Sequence, residues 1–265
     1  MTTTSGGRGP KDPGARRDSI ACGGAGVPAA SGGRGPKDPG ARRHGLAVRG
    51  LVVRFGAVTA IADLDLIVSF GCLVGLIGPN GAGKTTVIDA LSATVAATAE
   101  HLSLGGVSLK DRDSAQRARR GLRRSFQALA LFEDLTVAEN LDVVRTTTAG
   151  GGGVRRYSRG DILERFDLSG RANVVPNRLS HWERSRLALA RTVVGDPQAV
   201  LLDEPAAGLD LPERKVLAEH LKSLAADGLA VLVVEHDIDL VMAICDEVVE
   251  LERGRVVHRG PPRSP

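Results

Sequence analysis

The sequence predicts an α/β fold, with a mainly parallel β-sheet between helices. Two observations support this fold. Short apolar segments typical of buried strands alternate with helical segments from about residue 46 onward. A glycine-rich turn follows the apolar run Leu73–Ile77 and leads directly into a helical pattern. The chain has 265 residues, enough to bury a full hydrophobic core.

The first part of this region is predicted to be rich in strands. β-branched or alternating apolar residues indicate strands, and amphipathic spacing indicates helices. Gly105-Gly106 separates two apolar runs and is a hairpin signal. In order, the predicted elements are strands Leu46–Val53, Leu64–Val68 and Leu73–Ile77, a helix from Lys84 to about Val95, strands His101–Leu104 and Val107–Leu109, and an Arg-rich helix Asp113–Arg123.

The second part begins with a mainly helical stretch from about residue 128 to 195. A glycine run at 150–153 interrupts it and predicts a surface loop. Because strands resume afterwards, this stretch is predicted to be a helical subdomain inserted into the sheet. The later elements are strand Ala199–Leu202, helix Pro212–Ala226, strand Ala230–Val234, helix Ile238–Ile244 and strands Glu247–Leu251 and Val256–His258.

The N-terminal region differs in composition from the rest of the chain. The segment SGGRGPKDPGARR occurs twice, at Ser5–Arg17 and Ser31–Arg43. It is rich in glycine, proline and charge and has almost no apolar surface to bury, so residues 1–44 are predicted to be a disordered tail. A basic tether to an anionic surface is the alternative interpretation. The remaining residues, 45–265, are predicted to form one domain.

Composition excludes several classes of protein. Hydrophobic content of 42% and charged content of 25% are ordinary for a globular protein, while aromatic content is only 3%. The net charge is +4, but part of it belongs to the tail, and without a recognition motif we expect no nucleic-acid binding. Cys22, Cys72 and Cys245 have no metal-binding spacing and are expected to be reduced thiols. The sequence shows neither a signal peptide nor an apolar run of membrane-spanning length.

A phosphate-binding loop is the strongest functional motif. Gly78-Pro79-Asn80-Gly81-Ala82-Gly83-Lys84-Thr85 fits G-x-x-x-x-G-K-[ST] between a strand and a helix. Its N–H groups and the helix dipole favour phosphate, Lys84 is expected to reach the β- and γ-phosphates, and Thr85 to offer its hydroxyl to Mg²⁺. ATP and Mg²⁺ are therefore the predicted ligands. The predicted nucleotide contacts in this loop are Gly78, Asn80, Gly81, Gly83, Lys84, Thr85 and Thr86.

Two carboxylates end a later strand. Ala199–Leu202 is followed by Asp203 and Glu204, at the carboxyl end of a parallel strand where open α/β sheets bind ligands. In a phosphate-loop protein, Asp203 is expected to hold Mg²⁺ and Glu204 to orient or deprotonate the attacking water. The fold prediction thereby becomes a phosphate-loop NTPase core.

These motifs, with three others, make the chain resemble the ABC transporter ATPase family. Ser125-Phe126-Gln127 resembles the Q-loop, and Glu204-Pro205 followed by Ala207–Asp210 resembles the end of Walker B and the D-loop. Val234–Asp237 resembles the switch region. Phe55 falls where the family stacks an aromatic ring on adenine. The resemblance covers about residues 46–261.

This resemblance implies particular residue roles. Gln127 would sense Mg²⁺ or water and link to the transmembrane partner, and His236 would contact the γ-phosphate. Ser180, in the family's signature stretch, would bind the ATP held by a second subunit. Catalytic roles thus fall on Glu204, His236 and Gln127, and metal binding on Thr85, Gln127 and Asp203. The family also implies an antiparallel β subdomain beside the parallel core.

The resemblance further implies an ATPase that drives transport. Transmembrane permease subunits and a second ATP-binding subunit are the expected partners, with a solute-binding protein involved indirectly, at the cytoplasmic face of the cell membrane. The wording of Leu76–Gly83, Leu135–Leu141 and Asp203–Leu209 is similar to importers of branched-chain amino acids or urea. Import of a small solute is therefore predicted.

The signature departs from the family pattern at one position. Leu179-Ser180-His181-Trp182-Glu183 places tryptophan where the family has glycine. An indole adds bulk and removes access to backbone angles reserved for glycine, so we expect an impaired signature and a heterodimer rather than a homodimer. The alternative interpretation of this position is that Trp182 points away and the backbone path is kept. The alternatives are a catalytically weakened regulatory cassette and a soluble ABC ATPase without a transporter.

Overall fold

The computed structural model describes residues 44–125, 130–147, 157–195 and 197–262. The predicted tail therefore lies outside the described residues except for His44, which already belongs to the first strand. The predicted glycine loop at 150–153 and Gln127 also lie outside them. No helix in the described part of the chain is long and apolar enough to cross a bilayer.

Ten strands and seven α-helices lie within the described ranges. The strands are β1 (His44–Phe55), β2 (Val58–Ser69), β3 (Leu73–Ile77), β4 (His101–Leu104), β5 (Val107–Ser108), β6 (Leu122–Arg124), β7 (Ala199–Asp203), β8 (Ala230–Val234), β9 (Glu247–Glu252) and β10 (Arg255–Gly260). The helices are α1 (Lys84–Leu91), α2 (Ser114–Arg119), α3 (Val137–Thr147), α4 (Arg159–Arg165), α5 (His181–Val193), α6 (Leu211–Ala226) and α7 (Ile238–Ile244).

The strands form two sheets. The first is antiparallel with the order β2-β1-β4-β5, and the predicted hairpin at Gly105-Gly106 joins β4 to β5. The second has the order β10-β9-β3-β8-β7-β6, in which only β10 runs antiparallel to its neighbour. The mainly parallel sheet with an antiparallel β subdomain, as predicted, is confirmed.

Side-chain alternation along the parallel strands divides the interior into two hydrophobic clusters. Val74 and Leu76 of β3 face the cluster shared with the antiparallel sheet and α1, whereas Leu73 and Ile77 face the cluster shared with the other helices. Because both faces of these strands are covered, all five residues of β3 are buried. The strands therefore end at a sheet edge that is rigidly packed on both sides.

Two helix predictions are too long. The helix from Lys84 ends at Leu91 rather than near Val95, because Ser92 bonds back to Ile88 through its hydroxyl and Ala93 has a φ of +59°. The helix predicted over Asp113–Arg123 spans only Ser114–Arg119. Beyond it, Leu122–Arg124 pairs in parallel with Ala199–Leu201 and forms the edge strand β6.

The helical stretch packs onto the same sheet. α3, α4 and α5 contribute Leu141, Ile162 and Leu187, and these side chains belong to one cluster with Val200 and Leu202 of β7. The first predicted residue of the helical subdomain, 128, lies outside the described residues, so its exact bounds stay a prediction.

The buried side chain of Asn140 organises the loop that precedes α3. Its amide nitrogen donates to the carbonyls of Phe132, Leu135 and Thr136, and its oxygen accepts from the Phe132 N–H. This buried amide therefore bonds several backbone groups of the loop at once.

Candidate functional site

The phosphate loop requires glycine at positions with restricted geometry. Gly78 has a φ of +145°, and a Cβ there would lie 2.1 Å from the Leu251 carbonyl oxygen. Gly83 has a φ of +104° at the start of α1, where a Cβ would lie 2.6 Å from the Ile61 side chain. Only glycine fits both places, which explains why the loop can follow so closely on β3.

The side chain of Lys84 folds back into this loop. Its ammonium group donates to the carbonyls of Gly78 at 2.8 Å and Pro79 at 3.1 Å. Burial lowers the pKa of Lys84, while the Glu204 and Asp203 carboxylates oppose that effect. The ammonium is thus held at the mouth of the loop, beside the N–H groups that begin α1.

Asp203 is the last residue of β7 and contacts the phosphate loop. Its carboxylate is buried at 2% exposure, and the Thr85 hydroxyl donates to Oδ1 over 3.4 Å. Burial raises the pKa of Asp203, and the Arg124 charge opposes this shift. The second oxygen, Oδ2, accepts no hydrogen bond within the described ranges, although the Arg124 guanidinium lies 3.9 Å away.

The side chains of Glu204 and His236 contact each other. The Oε1 atom of Glu204 lies 2.7 Å from the Nε2 atom of His236. Glu204 has a φ of +50°, an unusual value for a residue with a side chain, and its N–H donates to the Val234 carbonyl at 2.9 Å. Backbone strain of this kind, costing on the order of 1–3 kcal/mol, persists where the surrounding structure fixes it and is concentrated at functional sites.

These groups converge on one open cavity of about 600 Å³. The loop, the strand ends and the antiparallel sheet all contribute to its wall. Of the predicted site residues, Asn80, Gly81, Gly83, Lys84, Thr85, Thr86, Glu204 and His236 line the cavity; Val58, Thr59, Ala60 and Arg253 complete its lining. A cavity of this size with convergent polar groups is suited to a nucleotide-sized ligand.

Four predicted site residues within the described ranges do not line this cavity. Gly78 and Asp203 contact its lining through Lys84 and Thr85. The other two are Phe55 and Ser180. Phe55 ends β1 with 52% exposure, and the following strand supplies Val58, Thr59 and Ala60 to the cavity instead. Ser180 is the N-cap of α5, where its hydroxyl accepts from the Glu183 N–H. Gln127, as noted, lies outside the described residues.

Trp182 occupies the first turn of α5 in ordinary helical backbone. From the sequence, Trp182 is expected to be unable to adopt backbone angles that only glycine reaches. That expectation is wrong at this position, because the backbone does not use such angles. The half-buried indole packs against the helical cluster, and the Arg186 guanidinium lies 5.3 Å from its ring centroid. The indole therefore adds bulk at the start of α5.

Sequence reasoning missed two charged residues beside the site. Arg124 immediately precedes the Q-loop-like segment and bonds to Asp89 of α1. Glu235, at 4% exposure, accepts backbone N–H groups from Ala206 and His236. The sequence signals were that Arg124 adjoins the Q-loop-like segment and that Glu235 lies within the switch-like segment. Neither signal gave a role, because the partners that reveal these roles lie on other elements of the fold.

Comparisons with known proteins agree with this geometry. The ABC transporter family profile matches residues 61–207. The high-affinity branched-chain amino acid transport ATP-binding protein LivG of Salmonella typhimurium is 36% identical over 233 residues, covering 82% of this chain and 91% of LivG. BraF of Pseudomonas aeruginosa, described in the same words, is 34% identical over the same shares.

A solved structure is also similar. The dimeric post-hydrolysis structure of the ATP-binding cassette MJ0796 bound to ADP and Pi aligns with a TM-score of 0.71 and 25% identity. The alignment covers 83% of this chain and 99% of that one. The predicted phosphate-loop NTPase fold is thereby confirmed.

Proposed function

Because the chain belongs to the ABC transporter family, we propose that it is the ATP-binding and ATP-hydrolysing subunit of an importer for a small solute. One observation carries the proposal. The phosphate loop, Glu204 and His236 line a single cavity, and Glu204 and His236 lie 2.7 Å apart within it. This supports a role for Glu204 as the base and for His236 as a phosphate contact, in the cavity of the loop that would hold the phosphates of ATP.

The chain's own residues divide the work as follows. The loop N–H groups and the Lys84 ammonium hold the β- and γ-phosphates and offset their charge. Glu204 accepts the proton of the attacking water, and His236 contacts the γ-phosphate. Phe55, if stacked on adenine as in the family, would act from outside the loop cavity, at the end of β1.

Mg²⁺ fits the donors present. Thr85 and Asp203 supply the hydroxyl and carboxylate oxygens that this cation prefers, and the buried Oδ2 of Asp203 has no hydrogen-bond donor within the described ranges. Gln127 would complete the protein ligands. When bound, Mg²⁺ neutralises charge on the phosphates and so favours attack by water.

The proposed solute follows from the relatives. LivG and BraF are branched-chain amino acid transport proteins by name, and the match to LivG extends over 91% of its length. We propose branched-chain amino acids as the cargo, with urea as the second candidate. The permease subunits would hold the chain at the cytoplasmic face of the membrane, and a solute-binding protein would deliver cargo to them. Nucleic acid is not a proposed partner.

A second ATP-binding subunit completes the assembly, and we propose that it is a different chain. Ser180 caps the N-terminus of α5 and does not line the cavity of its own subunit, in keeping with a role at a partner's ATP. Trp182 adds an indole to that helix start. In a homodimer both signatures would carry this bulk, whereas a partner with glycine would leave one site unobstructed.

Steady-state hydrolysis of MgATP by the full chain tests the function. As isolated chains, wild type and Glu219→Gln, an exposed helix residue, are expected to hydrolyse ATP slowly, whereas Glu204→Gln should bind ATP and lose at least about 100-fold in rate. Binding without hydrolysis in the wild type would indicate a regulatory cassette and contradict the proposal. Co-purification with a polytopic membrane protein separates a transporter subunit from a soluble ABC ATPase.

Turnover by the isolated chain tests the pairing. Trp182→Gly is expected to raise the rate of the purified homodimer, because both of its signatures would regain the smaller residue. Brisk cooperative hydrolysis by the wild-type homodimer, unchanged in Trp182→Gly, would contradict the heterodimer.

A further inference from the structure

Glu235 is a buried carboxylate between the two loops that carry the reacting groups. It directly follows β8 and precedes His236, and its side chain turns inward to 4% exposure. Burying a carboxylate is costly unless hydrogen bonds compensate the lost water. The hydrogen-bond partners of this carboxylate therefore indicate its role.

The two oxygens of Glu235 have separate backbone partners. Oε1 accepts from the Ala206 N–H at 2.7 Å, and Oε2 accepts from the His236 N–H at 3.2 Å. Ala206 lies two residues after Glu204 in the loop that follows β7. One carboxylate thus ties the loop of Glu204 to the backbone of His236.

A second contact fixes the same two loops. The Glu204 N–H donates to the carbonyl of Val234, the residue before Glu235, at 2.9 Å. These bonds are made at Glu204 itself and two residues after it, and they hold the backbone of Glu204 in its left-handed conformation, with a φ of +50°. The 2.7 Å separation of the Glu204 and His236 side chains therefore depends on backbone that Glu235 holds in place.

We propose that Glu235 is a positioning residue for ATP hydrolysis, which sets Glu204 and His236 relative to each other through its two accepting oxygens. The effect of Glu235 on catalysis rests on the proposed function. The positioning of the two loops does not, because it can be measured in the chain without nucleotide.

Glutamine is the sharpest substitution, because it preserves shape and changes one oxygen to an N–H₂ group. Glu235→Gln can accept only one of the two backbone N–H groups and turns a donor toward the other. Losing a hydrogen bond to a charged acceptor and leaving a buried donor unsatisfied predicts a fall in kcat of about 10- to 100-fold. ATP affinity should change less than about twofold, since the loop Gly78–Thr86 is untouched.

Three measurements on the full chain test this. Hydrogen–deuterium exchange without nucleotide is expected to be faster in Glu235→Gln for the peptides that contain Ala206 and His236, and unchanged in the control Glu219→Gln. Single-turnover hydrolysis and binding of a fluorescent ATP analogue then separate rate from affinity. The double variant Glu235→Gln/His236→Ala should be no more than about threefold slower than His236→Ala, because residues acting as a unit are not additive.

The outcomes are distinct. The role of Glu235 would be overturned by unchanged hydrogen exchange at both peptides or by a kcat of Glu235→Gln within about twofold of wild type. It would also be overturned by equal losses of ATP affinity and rate, or by multiplicative losses of rate in the double variant. Absence of hydrolysis in the wild type would overturn the proposed function instead, and the exchange result would still decide the positioning role. If Glu235→Gln loses cooperative unfolding, Glu235→Asp, which keeps both oxygens but shortens their reach, is expected to show the same faster exchange, and normal exchange in it would overturn the proposal.

Discussion

Replacing Arg124 with methionine would remove a buried positive charge that lies between α1, the residues that follow α1, and Asp203 of β7. The guanidinium group bonds to Asp89 of α1 and donates to the hydroxyls of Ser92 and Thr94, each at 3.1 Å. It also lies 3.9 Å from Asp203. Methionine has similar length but no charge, so two carboxylates would lose their compensating partner.

The expected loss of stability follows from burial. The side chains of Arg124 and Asp203 are 11% and 1% exposed, and breaking a buried ion pair by removing one partner costs about 3–5 kcal/mol. Asp89, at 24% exposure, recovers some hydration, which places the estimate for Arg124→Met near the lower value, about 3 kcal/mol. Arg124→Lys retains the charge with fewer donors and should lose about 1–2 kcal/mol.

Urea unfolding of wild type, Arg124→Met, Arg124→Lys and Asp89→Asn measures these differences at constant m-value. The double variant Arg124→Met/Asp89→Asn should be more stable than the sum of its single losses predicts, because the two residues contact each other. A loss below about 1 kcal/mol for Arg124→Met, or strictly additive losses, would refute the assignment of Arg124 as the compensating charge.

Three further predictions concern the loop and the helical region. Lys84→Ala should fold normally but weaken ATP binding by at least about 100-fold, as measured by titration with a fluorescent analogue, because the loop would lose its only buried ammonium among the described residues. Gly78→Ala should lower the unfolding free energy by more than about 3 kcal/mol in urea, since its Cβ would lie 2.1 Å from the Leu251 oxygen; wild-type stability in Gly78→Ala would contradict the close approach of these two backbone segments. Burial, followed by the charge of Arg186, lowers the pKa of His220, so the unfolded chain takes up a proton first and stability falls as the pH drops below about 6.5. His220→Leu should flatten this part of the stability profile between about pH 5 and 7, and an unchanged slope would show that His220 does not cause it.

Sequence patterns predicted the bounds of a helix or strand correctly where the residues of that element alone define it. The strands Leu73–Ile77 and Ala230–Val234 and the helix Ile238–Ile244 match their predicted bounds. Apolar runs define these elements, and Asp237 caps the start of the helix. The edge strand Leu122–Arg124 could not be predicted, because three residues rich in arginine become a strand only by pairing with Ala199–Leu201.

The sequence by itself determined the phosphate loop, its neighbouring strand and helix, and the carboxylates after β7, because each is a contiguous motif whose chemistry depends on fixed spacing. Only the tertiary structure decided which groups, distant along the chain, bind or neutralise the charged side chains around this site. Arg124 reaches Asp89 and Asp203, and Glu235 reaches Ala206, only because parallel strands bring their ends to one edge of the sheet. Buried charge must find a partner in space, and the order of residues along the chain does not reveal that partner.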